Sequence, residues 1–352
     1  MPILTVDNLV QHFRISGTKA VVQAVNDVSF QLEKGETLAL VGESGSGKTT
    51  IGRCVLGLIK PTAGSIRFRD LAMGGQRTVR SPEVRGKLQL VFQEPAESLD
   101  PRHQIHQLIG EPLRAAGVNR ADRERRTRQA AARVGIAETL LTAYPAEISM
   151  GVQQRVGIAR AIISDPEIII LDEPTSALDP TARAEVIDLL IDVQRELGTA
   201  YLFISHDLSA VRHVSHRVAV LYLGMIVEQG PAAKLFATPS HPYSVGLLSA
   251  VLLPNPRLRR ETDIRLSGEI PSPIDLPKGC FLAGRCPMVV DGCRAARPPA
   301  ETVEPGHLVH CIRHEEVARQ ERAVDYFEAF QVEAERVLSA GVPAAAIATD
   351  GR

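Results

Sequence analysis

The chain has 352 residues, of which 44% are hydrophobic and 23% charged, and a formal net charge of −1 at pH 7. That length implies about two domains and enough apolar material for a core without staples. The near-neutral balance excludes nucleic-acid binding through bulk charge. No apolar run reaches the roughly 18–20 residues that span a bilayer.

The start, MPILTVDNLVQHF, lacks the basic opening and long apolar stretch of a secretory signal, so a cytoplasmic location is expected. Val25–Leu32 reads as a strand, Glu33-Lys34-Gly35-Glu36 as a turn and Thr37–Val41 as a buried strand. A glycine-rich loop follows, then a helix from Lys48 to about Leu58. Leu88–Phe92 is another strand. Arg, Ala, Glu and Leu at helical spacing from Glu97 to Ala146 predict a helical insertion, and the basic stretch Arg120–Arg133 reads as its solvated face. Ile168–Leu171 is a purely aliphatic strand, suited to the centre of a parallel sheet. Tyr201–Ile204 and Arg217–Tyr222 follow, and the apolar run Val218–Val227 reads as one buried strand. Strands alternating with helices predict an α/β core. From about Pro239 the composition becomes proline-rich and holds four of the five cysteines, which predicts a small appended domain. Glu315–Leu338 reads as a helix and Ala340–Arg352 as a disordered tail.

Gly42-Glu43-Ser44-Gly45-Ser46-Gly47-Lys48-Thr49 fits the phosphate-loop pattern, between a predicted strand and a predicted helix. Its glycines let successive N–H groups turn inward around phosphate oxygens, and the helix behind it points its positive end at the same anion. Gly42, Ser44, Gly45, Ser46, Gly47, Lys48, Thr49 and Thr50 are therefore the candidate nucleotide contacts. Lys48 would reach the β- and γ-phosphates and the Thr49 hydroxyl would ligate Mg²⁺. Downstream, the strand ending in Asp172-Glu173 delivers two carboxylates where ligands bind in open α/β sheets. Asp172 suits the Mg²⁺ shell and Glu173 a general base on the attacking water.

Three further segments turn this into a family resemblance. Val91-Phe92-Gln93-Glu94-Pro95 is similar to the glutamine loop of ABC ATPases. Asp172-Glu173-Pro174-Thr175-Ser176-Ala177-Leu178-Asp179 resembles their acidic motif with its D-loop, and Ile204-Ser205-His206-Asp207 their switch-histidine motif. Phe13 stands where the family places an adenine-stacking aromatic. The resemblance covers about residues 3–235 and implies a RecA-like P-loop ATPase core with a helical subdomain insertion. It implies that Gln93 senses the γ-phosphate, joins the Mg²⁺ shell and couples the site to a membrane partner. His206 would hold the attacking water, and Asp179 would act across a dimer interface.

The signature segment departs from the family. It reads Ile148-Ser149-Met150-Gly151-Val152-Gln153-Gln154-Arg155, with Met150 for the first glycine and Val152 for the first glutamine. In the family this segment closes over the partner's phosphate loop. Ser149 and the backbone at Gly151 still offer donors at a helix start, but a methionine adds bulk where glycine lets the backbone approach. One competent site here and an impaired site on a different ATPase partner is the expected arrangement; tolerated substitutions with both sites active are the alternative.

Cys280, Cys286, Cys293 and Cys311 are separated by five, six and seventeen residues. Four thiolates can hold a 4Fe–4S cluster or a structural zinc. Together with Pro271-Ser272-Pro273, His241-Pro242-Tyr243 and Leu247-Leu248-Ser249-Ala250, the segment resembles the C-terminal extension of oligopeptide and dipeptide importer ATPases. That resemblance implies the 4Fe–4S cluster. His307 and His310 are surplus to four thiolates, and lone Cys54 reads as a small buried hydrophobe.

The expected organisation is a RecA-like core over 1–96 and 160–238, a helical signature subdomain over 97–159, the extension over 239–314, and a helix and tail over 315–352. The expected protein is the ATPase subunit of an importer of the peptide class, peripheral on the cytoplasmic face of the membrane. It would drive two permease subunits fed by an extracytoplasmic binding protein, with no nucleic-acid partner. Nickel, sugars or other small solutes are alternative cargoes. A soluble ABC ATPase acting on DNA or ribosomes is the rival reading, disfavoured by the lack of coiled coils, tandem halves or basic extensions.

Overall fold

The structure is a computed structural model and describes residues 2–73, 81, 84, 86–249 and 264–319. Most of the predicted helix at 315–338, the whole tail and Ala250 lie outside the described residues.

Two sheets carry the fold. Strands β1 (Leu4–Arg14), β2 (Val21–Leu32), β4 (Ala63–Phe68) and β5 (Leu71–Ala72) form an antiparallel sheet in the order β2-β1-β4-β5. The larger sheet contains β3 (Thr37–Val41), β6 (Leu88–Val91), β7 (Ile168–Asp172), β8 (Ala200–Ile204), β9 (Arg217–Tyr222) and β10 (Met225–Pro231), joined by β11 (Glu301–Glu304) and β12 (His307–Val309). Its order is β11-β12-β10-β9-β3-β8-β7-β6, and β9, β3, β8, β7 and β6 run parallel. A parallel sheet is covered on both faces, which explains the unbroken apolar runs of β3, β7 and β8. Side chains alternate across it: Ala39, Val41, Ile169, Leu171 and Phe203 enter one core, and Leu38, Leu40, Ile168, Ile170 and Leu202 the other. The first core holds the helical region and the second the antiparallel sheet.

One expectation needs correction. Val218–Val227 is not one strand but the hairpin of β9 and β10, turned at Leu223 (φ 46°) and Gly224 (φ 78°). Two successive positive φ values are what a tight hairpin turn demands. The helical insertion expected over 97–146 is present, as the helices Pro95–Ser98, Ile105–Ile109, Glu111–Ala115 and Arg120–Arg133 followed by 3₁₀ turns at Glu138–Thr142 and Pro145–Glu147. Pro112 begins a piece, and Gly117 and Gly135 take left-handed φ after two of them.

The proline-rich segment shares the main sheet. Strand β12 pairs with β10, and β11 pairs with β12. The Glu228 carboxylate on β10 is 0% exposed and accepts from the Ser240 and His241 N–H groups and from Nε2 of His307, which is 1% exposed. A buried carboxylate is tolerable only when saturated in this way. Phe281 and Leu282 join the larger core, with Cys280 and Cys286 against it.

Candidate functional site: a phosphate loop with two carboxylates

Three of the loop glycines are required by close approach or backbone geometry. A Cβ at Gly42 would lie 2.2 Å from the Leu221 carbonyl oxygen, and one at Gly47 2.3 Å from that of Ala24. Gly45 has open space but φ +79°. Ser44 and Gly45 are exposed at the tip, while Ser46 is buried. Lys48 opens the helix Lys48–Val55 and its Nζ donates to the carbonyls of Gly42 (2.8 Å) and Glu43 (2.9 Å) and to Ser46 Oγ (3.3 Å). Burial lowers the Lys48 pKa, opposed by the charges of Glu173, Asp172 and Glu43. A desolvated ammonium that turns back on its own loop is well placed to exchange those bonds for phosphate oxygens. Thr49 and Thr50 follow in the first helical turn, both half-buried.

The second half of the site lies at the C-terminal end of β7. Thr49 Oγ1 donates to Asp172 Oδ1 at 3.0 Å, which places both oxygens on one edge of the loop. Mg²⁺ takes oxygen ligands of this kind, and Thr49 and Asp172 would hold it there. Burial raises the Asp172 pKa; the Thr49 hydrogen bond opposes this and the Glu173 charge adds to it. Glu173 sits at φ 47°, an uncommon conformation for a non-glycine residue, and its N–H donates to the Ile204 carbonyl at 2.8 Å. Its carboxylate is 18% exposed and meets two groups from other strand ends. Gln93 Nε2 donates to Oε2 at 3.2 Å, and His206 Nδ1 lies 3.1 Å from Oε1. Asp172, Glu173, Gln93, His206 and Thr49 thus converge from four chain segments.

The other expected residues stand apart from this cluster. Ser149 caps the helix Met150–Ile162 by accepting from the Val152 N–H. Gly151 lies in its first turn, and Met150 is 42% exposed. Asp179 caps the helix Pro180–Leu197 through the N–H groups of Thr181 and Ala182. Phe13 is exposed on β1 opposite Val22. Tyr243 and Arg285, neither of them among the expected site residues, hold Glu43 of the phosphate loop from 200 and 242 positions away in the chain. No local spacing could signal that pairing.

Cys280, Cys286, Cys293 and Cys311 wall one narrow cavity with His241 and His310. All are free thiols, and burial raises Cys280, Cys286 and Cys311, the last to about 12. Among the described residues no group of three or more His, Cys, Asp or Glu stands ready to hold a metal ion. The expected 4Fe–4S cluster and its zinc alternative thus both lack a formed ligand set among these residues. His307 is committed to Glu228, and Cys54 is buried in the core.

A sequence profile described as ABC transporter matches residues 25–176, and one described as oligopeptide/dipeptide transporter, C-terminal region, matches 227–293. A Brucella ovis protein named for peptide import ATP binding is 45% identical over 315 residues, covering 89% of this chain and 98% of that protein. The chain belongs to the ABC transporter ATP-binding family. Another member, the oligopeptide transport ATP-binding protein OppF of Salmonella typhimurium, is 41% identical over 321 residues, covering 88% and 96% of the two chains. Among solved ABC cassettes, cbiO1 from Clostridium perfringens aligns with TM-score 0.59 and 29% identity over 67% of this chain and 91% of its own. The dimeric cassette MJ0796 with ADP and phosphate aligns with TM-score 0.57 and 25% identity over 65% and 98%. The fold is the expected ABC ATPase cassette, and this ABC subunit is an ATP-hydrolysing enzyme. No helix among its described residues is long and apolar enough to cross a membrane.

Proposed function

We propose that this ABC subunit hydrolyses ATP to power an importer of the peptide class. The observation that carries the proposal is one chain joining the Thr49–Asp172 and Gln93–Glu173–His206 contacts to an extension that matches the oligopeptide/dipeptide profile. The names of its relatives, for peptide import and oligopeptide transport, support the same cargo.

In this reading the triphosphate lies along the loop Gly42–Thr50 and takes over the Lys48 ammonium. Thr49 and Asp172, with Gln93, would hold Mg²⁺, which would neutralise phosphate charge when bound. Glu173 accepts the proton of the attacking water. His206 and Gln93 keep that carboxylate and the water aligned. Phe13 stacks on the base. Ser149, Gly151 and Asp179 act across the interface with a second ATPase subunit, closing on its nucleotide. The surface position of Met150 supports an impaired partner site and hence a heterodimer. Restoring the family signature with Met150→Gly and Val152→Gln tests this: turnover of the assembled complex rises, and unchanged turnover removes the impairment.

The division we propose is an ATP-binding core over 1–96 and 160–238, a helical subdomain over 97–159 that transmits to two permeases, and the extension over 239–314. The complex works at the cytoplasmic face and receives cargo from an extracytoplasmic binding protein. Four thiols lining one cavity, two of them buried and two half-buried, support a 4Fe–4S cluster that Cys280, Cys286, Cys293 and Cys311 would hold. Such a cluster supplies a covalent fastening for a proline-rich segment. Anaerobically purified protein should then carry iron and visible charge-transfer absorption; neither being found removes the cluster.

The function is tested by reconstituting the subunit with its permeases in lipid and adding binding protein. Peptide-loaded binding protein should stimulate ATP hydrolysis, and nickel- or sugar-loaded binding protein should not. Stimulation only by a non-peptide cargo overturns the peptide assignment.

A further inference from the structure

The loop residue Glu43 is held by the extension at both its side chain and its backbone. Arg285 Nη1 and Nη2 donate to the two Glu43 carboxylate oxygens at 2.9 and 3.1 Å, a forked pair in which the Arg285 side chain is only 11% exposed. Paired, planar contacts of this kind are the strong and directional ones. The Glu43 N–H donates to Tyr243 Oη at 2.9 Å. Tyr222 completes the seat: Arg285 Nη1 donates to its hydroxyl at 3.4 Å, and the rings of Tyr222 and Tyr243 lie 4.6 Å apart. The Glu43 carbonyl in turn accepts from Lys48 Nζ. Arg285 belongs to the turn Cys280–Cys286, fixed by the Ala283 N–H on the Cys280 carbonyl and the Arg285 and Cys286 N–H groups on the Leu282 carbonyl.

An unbroken chain of contacts thus runs from the cysteine turn through Arg285 and Glu43 to Lys48. The geometry points to Arg285 as a positioning residue for the phosphate loop, so that nucleotide binding and the order of the cysteine turn are linked in free energy. Two physical effects combine. The fork fixes where Glu43, and with it the loop backbone, sits. It also neutralises a carboxylate that would otherwise repel the triphosphate. Linkage is reciprocal, so nucleotide must order the cysteine turn as much as the turn improves the loop.

The inference rests on the ATP-binding reading, and the test separates the two. MgATP affinity is measured by calorimetry on the full chain in a Glu173→Gln background, which prevents turnover. Arg285→Ala should weaken binding about tenfold, and Arg285→Lys should recover part of that. Adding Glu43→Gln to Arg285→Ala should also recover binding, because the unpaired carboxylate is gone; a merely structural role of Arg285 predicts no such recovery. Amide hydrogen exchange over Cys280–Cys286 should slow with MgATP when the fork is intact and not when it is broken. If Arg285→Ala does not fold, Glu43→Gln alone breaks the fork for the exchange measurement. Unchanged affinity in Arg285→Ala, no recovery in the double variant, or exchange indifferent to MgATP in the intact protein overturns the linkage. Absence of MgATP binding before any change at Arg285 or Glu43 instead overturns the ATP site itself.

Discussion

Replacing Gly47 with alanine should damage both the fold and the nucleotide site. The new Cβ would stand 2.3 Å from the Ala24 carbonyl oxygen, at a backbone φ of +101°. The obstacle is backbone, so no rotamer relieves it. Strand β2 cannot simply retreat, because the Asn26 N–H donates to the Gly224 carbonyl at 2.7 Å and the Gly224 N–H donates to that of Ser46 at 3.0 Å. Moving Ala24 therefore pulls the β9–β10 turn and the phosphate loop together. Backbone strain costs about 1–3 kcal/mol and overpacking about 1–3 kcal/mol, so about 2–6 kcal/mol is expected. For a chain of 352 residues that corresponds to a fall in melting temperature of roughly 3–8 °C, with loss of measurable MgATP binding. Gly157 provides the contrast. It lies inside the helix Met150–Ile162, and an added methyl there would meet nothing within 4 Å. Gly157→Ala should raise stability by about 1 kcal/mol and leave MgATP affinity alone. Differential scanning fluorimetry with and without MgATP reads both variants. A Gly47→Ala protein that melts and binds like the wild type would refute the steric reasoning.

His307→Ala leaves the fully buried Glu228 carboxylate short of one partner, so the fold should lose about 3–5 kcal/mol; an unchanged melting temperature would show that β12 is not anchored by this pair. Asp172→Asn acts oppositely in the unliganded protein. Burial, reinforced by Glu173, holds the Asp172 carboxyl above its ordinary pKa. The folded state then binds more protons than the unfolded one just above the ordinary carboxylate range, so stability falls as pH rises through that window. The asparagine variant should therefore melt above the wild type at neutral pH, with a gap that closes in acid, and MgATP should no longer raise its melting temperature. A lower melting temperature at neutral pH would contradict the burial argument.

The phosphate loop and the two carboxylates of the candidate site were legible because their pattern is local in the chain. Gly42–Thr49 needs one strand, one turn and one helix, and Asp172-Glu173 ends a strand whose four aliphatic residues announce its burial. Gln93 and His206 were legible only through family order, since neither has a local pattern that places it beside Glu173. The helical insertion was legible from its periodicity, but not its division into short helices, because periodicity reports a face and not a break: Pro112, Gly117 and Gly135 divide it. The run Val218–Val227 hid a turn because Leu223 takes a positive φ that leucine seldom adopts. The fork from Arg285 to Glu43 spans 242 positions, and the union of β12 with β10 joins Val309 to Glu228. Contacts of that range arise from packing the folded chain and leave no spacing to read.

Glu173 is held to drive hydrolysis at a site assembled on Gly42–Thr49. This is tested most directly by measuring MgATP affinity and single-turnover hydrolysis side by side in Glu173→Gln. Affinity should stay within a few-fold of wild type, with hydrolysis reduced by about 10²–10⁴. Hydrolysis at the wild-type rate in this variant would contradict the assignment of Glu173 as the base.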